Sequence, residues 1–166
     1  MSTLQDKNFN ERKKSIKLWF SEWLNNQMEY MYDEIMYGIK DKDQDLFFTH
    51  IIENHLNKTP EELKNRIKKK ETYEATSFYC NKKDFFLKIK ETILDKHNMS
   101  DLIDWLASYD DTDDWFLWTN NPFKAIGYKY NNGKRKIEKG VEDYNEIQIR
   151  LEKNGNIFVL KTIVAK

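Results

Sequence analysis

Cysteine is almost absent from this chain of 166 residues, in which Cys80 is the single example. One cysteine cannot form an intrachain disulfide, and no close pair of cysteines is available for a structural zinc site. We therefore expect packing, and not cross-links, to stabilise the fold. The chain also suits a reducing compartment, or at least tolerates one.

Long apolar runs, glycine-rich loops and an excess of charge of one sign are also missing. No stretch approaches the about 18 apolar residues of a membrane-spanning helix, and residues 1–17 contain no apolar segment of the kind found in signal peptides. Lys and Arg together number 28, as do Asp and Glu. Net charge thus gives no general reason to expect a nucleic-acid or membrane partner, and such a partner must be inferred from local clusters.

The chain is long enough for one sizeable core, and its first part is predicted to be helical. Apolar residues recur at three- and four-residue intervals over residues 16–39, which predicts an amphipathic helix capped by Ser15. We place a boundary after the polar segment 40–45, with residues 1–45 as an N-terminal helical region and residues 46–166 as the main domain. We expect the apolar stripe to pack on that domain, the alternative being a partner protein.

The remaining segments predict an α+β fold, with helices first and an antiparallel sheet last. Thr59 followed by Pro60 marks the start of a helix that carries Arg66. An extended segment, two helices and four strands follow, and Ser100 is predicted to cap the second of those helices. The extended segment is 71–79, the helices are 82–94 and 100–108, and the strands are 115–118, 125–130, 145–152 and 156–164.

The last two strands are predicted to form a hairpin at Asn154-Gly155, a sequence typical of a two-residue turn. Pairing Lys153 with Asn156 places Thr162 on the apolar face of the hairpin as its only polar member. The predicted face consists of Ile147, Ile149, Leu151, Phe158, Leu160, Thr162 and Val164. A hydroxyl on that face needs a hydrogen-bond partner, although threonine is also simply a good strand former.

Residues 50–66 contain two histidines five residues apart and an arginine eleven residues after the second. Together with residues 75–79, 102–108, 126–130 and 147–162, in that order, this segment resembles the bacterial RNase A-like toxin domain at the C-terminus of contact-dependent inhibition (CdiA) proteins. The likeness covers residues 46–166. It implies an RNase A-like, kidney-shaped α+β fold without disulfides, and a metal-independent endoribonuclease toxin that needs no cofactor.

The resemblance further implies His55, Arg66 and Thr162 as catalytic residues. At the C-terminal end the chain departs from the family, because Val164 occupies the position of an expected catalytic tyrosine. His50 is a second candidate acid or base, or else a histidine that shapes the loop. In a regular helix its side chain would point about 140° away from that of His55.

These residue types suit RNA cleavage without a metal ion. The 2′-hydroxyl of RNA can attack its own phosphodiester and give a 2′,3′-cyclic phosphate. Imidazole can transfer the protons near neutral pH, while a guanidinium and a hydroxyl can stabilise the charge on the phosphorane.

RNA must also be held, and two basic segments are candidates for this role. The first surrounds Arg66 and the second covers residues 124–139, where Tyr128 and Tyr130 are interleaved with basic residues. We select as candidate substrate contacts Lys58, Lys69, Lys70 and Tyr128. A run of charges is also commonly no more than a solvated face.

The resemblance also implies partners and a place of action. The implied partners are an RNA substrate and a cognate immunity protein, for which an acidic surface would be suitable. The implied place of action is the cytoplasm of a target cell. The domain would be delivered as the C-terminal part of a secreted or surface toxin.

Three other hypotheses are open at this stage. A zinc site could use His50, His55, Cys80 and His97, and a divalent ion could bind the acidic segment 110–114. The third hypothesis is a catalytically impaired module that keeps the ribonuclease scaffold and binds RNA or protein.

Overall fold

The computed structural model describes residues 4–46, 49–108 and 113–166. Helices predominate in the first part of these residues and antiparallel strands in the last, so the predicted α+β class is confirmed. Their order is α1 (Leu4–Tyr37), α2 (Thr49–His55), α3 (Pro60–Lys68), β1 (Glu74–Tyr79), α4 (Lys82–Ile93), α5 (Lys96–Ala107), β2 (Asp114–Asn120), β3 (Lys124–Asn131), β4 (Lys136–Ile137), β5 (Glu146–Asn154) and β6 (Ile157–Ala165).

The predicted helix start at Thr59 is confirmed, whereas the two predicted caps, Ser15 and Ser100, are wrong. Thr59 caps α3, where its Oγ1 accepts a hydrogen bond from the backbone N–H of Glu62 at 3.1 Å. Ser15 lies inside α1, because the polar residues before it are themselves good helix formers. Ser100 lies inside α5, whose N-cap is Asp95, an equally good capping residue one turn earlier.

The strands form two antiparallel sheets, whereas the sequence predicted one sheet at the end of the chain. The first sheet has the order β1-β3-β4 and the second the order β2-β5-β6. Strand β1 precedes α4 and α5 in the chain but pairs with β3, with Ala75 opposite Tyr128. The helical segment 50–66 therefore leads directly into a sheet.

The register of the β5–β6 hairpin differs from the predicted one. Leu151 pairs with Leu160, but the next pair joins Arg150 to Thr162, so Lys161 is an extra residue in β6. This extra residue is a β-bulge, and a bulge reverses the facing of the residues that follow it.

Because of the bulge, the predicted position of two residues was wrong. Ile163 and Ala165 enter the core, whereas Thr162 and Val164 are only partly buried and lie on the other face of β6. The bulge thus buries an isoleucine where regular alternation would have buried a hydroxyl.

Helix α1 packs on the core of the chain, as the sequence predicted. Its buried residues are Ile16, Phe20, Leu24, Met28 and Met31. The rings of Trp23 and Phe20 lie 5.3 Å and 6.2 Å from the ring of Phe158 in β6. Ile39, predicted to belong to the stripe, lies beyond the helix and is exposed.

The segment after α1 is tied back to the helix by Gln27. The side-chain oxygen of Gln27 accepts hydrogen bonds from the backbone N–H groups of Asp45 and Leu46, at 2.7 Å and 3.1 Å.

None of the described helices is both long enough and apolar enough to cross a membrane.

Candidate active site

His55 is the last residue of α2 and is held against the edge of β1. The next residue, Leu56, forms a parallel bridge with Phe78. The imidazole is 7% exposed, and its Nδ1 lies 3.4 Å from the backbone oxygen of Thr76.

The turn after α2 is fastened to β1 by three residues. Asn57 has a positive φ of 55°, and its side-chain amide bonds to both the N–H and the C=O of Cys80. The N–H of Lys58 donates to Ser77 Oγ at 2.9 Å, and the hydroxyl of Tyr79 donates to the Lys58 carbonyl. These bonds set the position of α2, and hence of His55, relative to the sheet.

Thr162 reaches His55 from the second sheet, with its Oγ1 3.2 Å from Nε2 of the imidazole. The carbonyl of Thr76 can only accept a hydrogen bond, so the neutral ring carries its proton on Nδ1. Nε2 then has a free lone pair, and the hydroxyl of Thr162 donates to it. The bulge at Lys161 turns Thr162 out of the core, which makes this contact possible.

Burial determines the charge of this histidine. Burial, and to a smaller degree the neighbouring Arg66 guanidinium, lowers the pKa of His55 from 6.5 to about 4. The imidazole is therefore neutral at pH 7, and Nε2 is an atom that can accept a proton.

Arg66 extends from α3 toward the end of α2. Its Nη1 donates to the backbone oxygen of Asn54 at 3.3 Å, while its Nε lies 3.6 Å from the Glu71 carboxylate, beyond hydrogen-bond distance. The buried Nε has no hydrogen-bond partner. The guanidinium is thus held between the end of α2 and the Glu71 carboxylate, close enough to His55 to affect its pKa.

His50 lies on the same helix as His55 but on its exposed side. Its ring bonds to the side-chain amide of Asn54 at 3.0 Å. The structure therefore brings His55, Thr162 and Arg66 together and leaves His50 at the surface of α2.

The four candidate substrate contacts occupy different places. Lys58 lies in the turn beside His55, with its Nζ 3.8 Å from the Glu62 carboxylate. Lys69 is the C-cap of α3, and Lys70 follows it with a positive φ of 60°. Tyr128 is 8% exposed and packs with residues of α3.

Sequence reasoning missed two residues beside this site. Thr76 orients His55 through its carbonyl, and its own buried Oγ1 has no hydrogen-bond partner. The hydroxyl of Tyr144 lies over Gly127, where a Cβ would collide with it and would lie 2.8 Å from Thr76 Cγ2. A glycine within the strand pattern was the available signal, because it marks a close approach of other atoms.

The two metal-site hypotheses gain no support from the described part of the chain. No three His, Cys, Asp or Glu side chains of the described residues come together as a ligand set. Burial and the Asp84 carboxylate raise the pKa of the Cys80 thiol to about 11, so it is protonated at neutral pH. Asp110 and Asp111 lie outside the described residues, and Asp114 is paired with Arg150 at 2.9 Å.

Comparison with known proteins adds to these observations. The family model described as bacterial CdiA-CT RNAse A domain matches residues 49–162, which include His55, Arg66 and Thr162. Among solved structures, the chain is similar to the crystal structure of a CdiA-CT/CdiI complex from Y. kristensenii 33638, with a TM-score of 0.51 and 16% sequence identity over 70% of this chain and 98% of that chain. No curated protein matches the chain. The structural likeness shows that the fold is the expected RNase A-like one.

Proposed function

The chain belongs to the bacterial CdiA-CT RNAse A domain family, a family of ribonuclease toxin domains, and from this membership we propose that it cleaves RNA by attack of the 2′-hydroxyl, without a metal ion. The products are a 2′,3′-cyclic phosphate and a free 5′-hydroxyl. The observation that carries the proposal is the neutral His55, whose Nε2 faces Thr162 while Arg66 lies nearby.

In the proposed reaction, His55 Nε2 takes the proton of the 2′-hydroxyl as the 2′-oxygen forms its bond to phosphorus. Arg66 binds the phosphoryl oxygens with two N–H groups, which stabilises the negative charge of the phosphorane. The hydroxyl of Thr162 turns from His55 to the phosphate when RNA binds, which adds a donor and frees the lone pair of Nε2.

The bond from phosphorus to the 5′-oxygen then breaks, and the leaving oxygen needs a proton. We assign this step to His50, which lies on the turn of α2 before His55. The assignment requires the His50 ring to turn toward the phosphate that is bound at His55, because the 2′- and 5′-oxygens are bonded to the same phosphorus, while the His50 ring is exposed and the His55 ring is buried.

We propose that RNA is held by Lys58 next to the scissile phosphate, and by Lys69, Lys70 and Tyr128 beyond it. Lysine neutralises phosphate charge, and the buried ring of Tyr128 acts by supporting a basic side chain. The ring of Tyr128 already lies 4.9 Å below the Nζ of Lys64.

The decisive experiment is RNA cleavage in EDTA by the wild type and by His55→Ala. We expect the variant to lose about 10²- to 10⁴-fold in rate, the usual effect of removing one acid-base group. The control is His97→Ala, because His97 is an exposed histidine of α5 that pairs with Asp101. RNA that stays intact with the wild type, or cleavage that stops in EDTA, would contradict the proposal.

The similar structure from Y. kristensenii is a complex with CdiI. We propose that a cognate immunity protein likewise binds the present chain, and that the domain acts in the cytoplasm of a target cell after delivery at the C-terminus of a surface toxin. We also propose that residues 46–166 are the catalytic unit and residues 1–45 an N-terminal helical region.

A second candidate function rests on Val164. This residue offers no hydroxyl where the family resemblance implies a tyrosine, which would suit a module that binds RNA or protein without turnover. RNA binding by the wild type without any cleavage would favour that function.

A further inference from the structure

A groove lies between α3 and the strands β3 and β4, and two adjoining cavities form it. Their volumes are about 1000 Å³ and about 400 Å³, and they share Lys68, Tyr130 and Ile137. We call this feature the α3–β4 groove.

The groove has an excess of positive charge, although the whole chain has none. Its cations are Lys64, Lys68, Lys70, Arg135, Lys136 and Lys139, and its carboxylates are Glu138 and Glu142. None of the six cations forms an ion pair with a carboxylate of the described residues. Such a surface attracts a polyanion.

Aromatic rings lie among these charges. Tyr73 is 70% exposed, and its ring centroid lies 6.4 Å from that of Tyr130. Both residues line the smaller cavity together with Lys68 and Lys70. Exposed rings beside lysines form the combination that holds single-stranded nucleic acid, because bases stack on the rings while the lysines neutralise the backbone.

The groove lies on the other face of β1 from the catalytic residues. Ala75 faces Tyr128 and α3, so its neighbour Thr76 points the opposite way, toward the cavity that Val164 lines. Helix α3 joins the two regions, because Arg66 points toward His55 while Lys64 and Lys68 line the groove.

We propose that the α3–β4 groove is an accessory site for single-stranded RNA, which binds nucleotides several positions away from the scissile bond. The inference deepens the proposed function by adding a preference for long substrates over short ones. The cations also attract an acidic protein, but the exposed ring of Tyr73 beside the half-buried ring of Tyr130 favours a ligand whose bases can stack.

The first test measures binding in the His55→Ala background, so that cleavage does not interfere. The probe is a fluorescent single-stranded RNA 20-mer of mixed sequence, and the variants are Tyr73→Ala and the double variant Lys68→Gln with Lys136→Gln. The control is Lys82→Gln with Lys83→Gln, two exposed lysines at the start of α4. Thermal unfolding confirms that each protein is folded.

We expect Tyr73→Ala to weaken binding about 5- to 150-fold, the range that corresponds to loss of one base–aromatic stack. The double lysine variant should lower the slope of log affinity against log salt by about 1.4, because each phosphate contact on a single strand contributes about 0.7. The control should change neither quantity. Equal RNA affinities for all proteins would overturn the proposal.

The second test compares kcat/KM for the 20-mer and for a dinucleotide, with His55 intact. The loss caused by Tyr73→Ala should be at least about fivefold larger for the 20-mer, since only the long substrate reaches the groove. Equal losses would overturn the inference. If the wild type cleaves neither substrate but the binding results are as expected, the proposed ribonuclease function is wrong, while RNA binding by the α3–β4 groove is supported.

A third measurement separates RNA from an acidic protein as the ligand. A poly-glutamate 20-mer should compete with RNA only weakly and without dependence on Tyr73, because it has no bases to stack. Tight binding of poly-glutamate that depends on Tyr73, with RNA affinity unchanged in the variants, would overturn the proposal.

Discussion

His55 combines burial with a ring nitrogen that faces the hydroxyl of Thr162. Its ring is buried between α2 and β1, yet its Nε2 faces Thr162 on the second sheet. Burial keeps the ring neutral, and a neutral ring is the form a general base needs. The same burial should make the stability of the protein depend on pH.

The free energy of unfolding should fall as the pH drops from 6.5 to 4. The pKa of His55 is about 4 in the folded state against 6.5 for an ordinary histidine, so the unfolded chain binds the proton more readily in this window. The loss at pH 4 is about 3 kcal/mol.

Urea unfolding of the wild type and of His55→Gln at several pH values checks this expectation. Other groups titrate in both proteins, so the quantity to compare is the difference between their unfolding free energies. That difference should change by about 3 kcal/mol between pH 7 and pH 4. A difference that does not vary with pH would show that His55 is not buried in its neutral form.

Val164 is the residue at which a single change should raise activity. It lies on the same face of β6 as Thr162 and lines a cavity of about 200 Å³ with Glu74 and Thr76. A tyrosine here would add a donor for developing charge, so Val164→Tyr should increase cleavage by up to about a hundredfold, or about 3 kcal/mol. The larger side chain should cost about 1–3 kcal/mol of stability.

Val164→Phe is the matched control, because it introduces the same ring without a hydroxyl. Rates are compared per folded molecule, with folding confirmed by circular dichroism. Equal rates for the Tyr and Phe variants would mean that a hydroxyl at this position contributes nothing.

At the scale of elements, the strands around the site were predictable but their register was not. The Asn-Gly pair correctly indicated a hairpin, since its turn lies at Gly155 and Asn156. The turn is one residue later than expected, and Lys161 bulges out of β6. Register depends on which side chains fill the core between distant elements, and a period of two along one strand does not contain this information.

Because β3 packs closely against its neighbours, any side chain at Gly127 should destabilise the fold. A Cβ at this position would lie 2.8 Å from Thr76 Cγ2 and would collide with the Tyr144 hydroxyl. Gly127→Ala should therefore reduce the free energy of unfolding by about 1–3 kcal/mol, the usual cost of overpacking.

Removing the hydroxyl with Tyr144→Phe should recover part of this loss in the double variant, which urea unfolding can measure. The control is Gly133→Ala, where the nearest atom to the added Cβ is Asn131 Oδ1 at 3.4 Å. If Gly127→Ala were as stable as the wild type, the strand would not be packed in this way.

At the scale of the whole molecule, α1 stabilises the core without contributing a catalytic histidine. Phe20 and Trp23 contact Phe158 of β6, and Lys13 pairs with Asp104 of α5 at 2.6 Å. Helix α1 therefore packs on α4 and α5, and its aromatic rings reach β6 of the sheet that supplies Thr162.

Deletion of residues 1–45 should reduce solubility and the unfolding free energy, while the activity per folded molecule changes by no more than about threefold. Stability should fall because aromatic side chains of the core become exposed to water, which costs about 1.5–3 kcal/mol of unfolding free energy for each large side chain. A well-folded truncated protein that no longer cleaves RNA would show that α1 supplies a catalytic or RNA-binding group.

Point variants test the same idea if the truncated chain does not fold. Phe20→Ala should cost about 3–5 kcal/mol in urea unfolding, whereas Leu18→Ala should cost little, because Leu18 is 87% exposed.

The sequence by itself determined whatever depends on residues close together in the chain. Helical periodicity, the Thr59 cap, the Asn-Gly turn and the spacing of His55 and Arg66 are local features, and they were sufficient for the fold class and the family. Helices and turns are formed by contacts within a few residues, so their signals can be recognised without the fold.

Only the tertiary structure decided which of these residues act together. His55 and Thr162 are 107 positions apart, and their contact depends on a bulge that no local pattern indicated. The low pKa of His55 follows from burial by β1 and the charge of Arg66, and the α3–β4 groove forms from segments about 70 residues apart in the chain. Burial, electrostatic environment and register arise from neighbours in space, and the fold alone determines those neighbours.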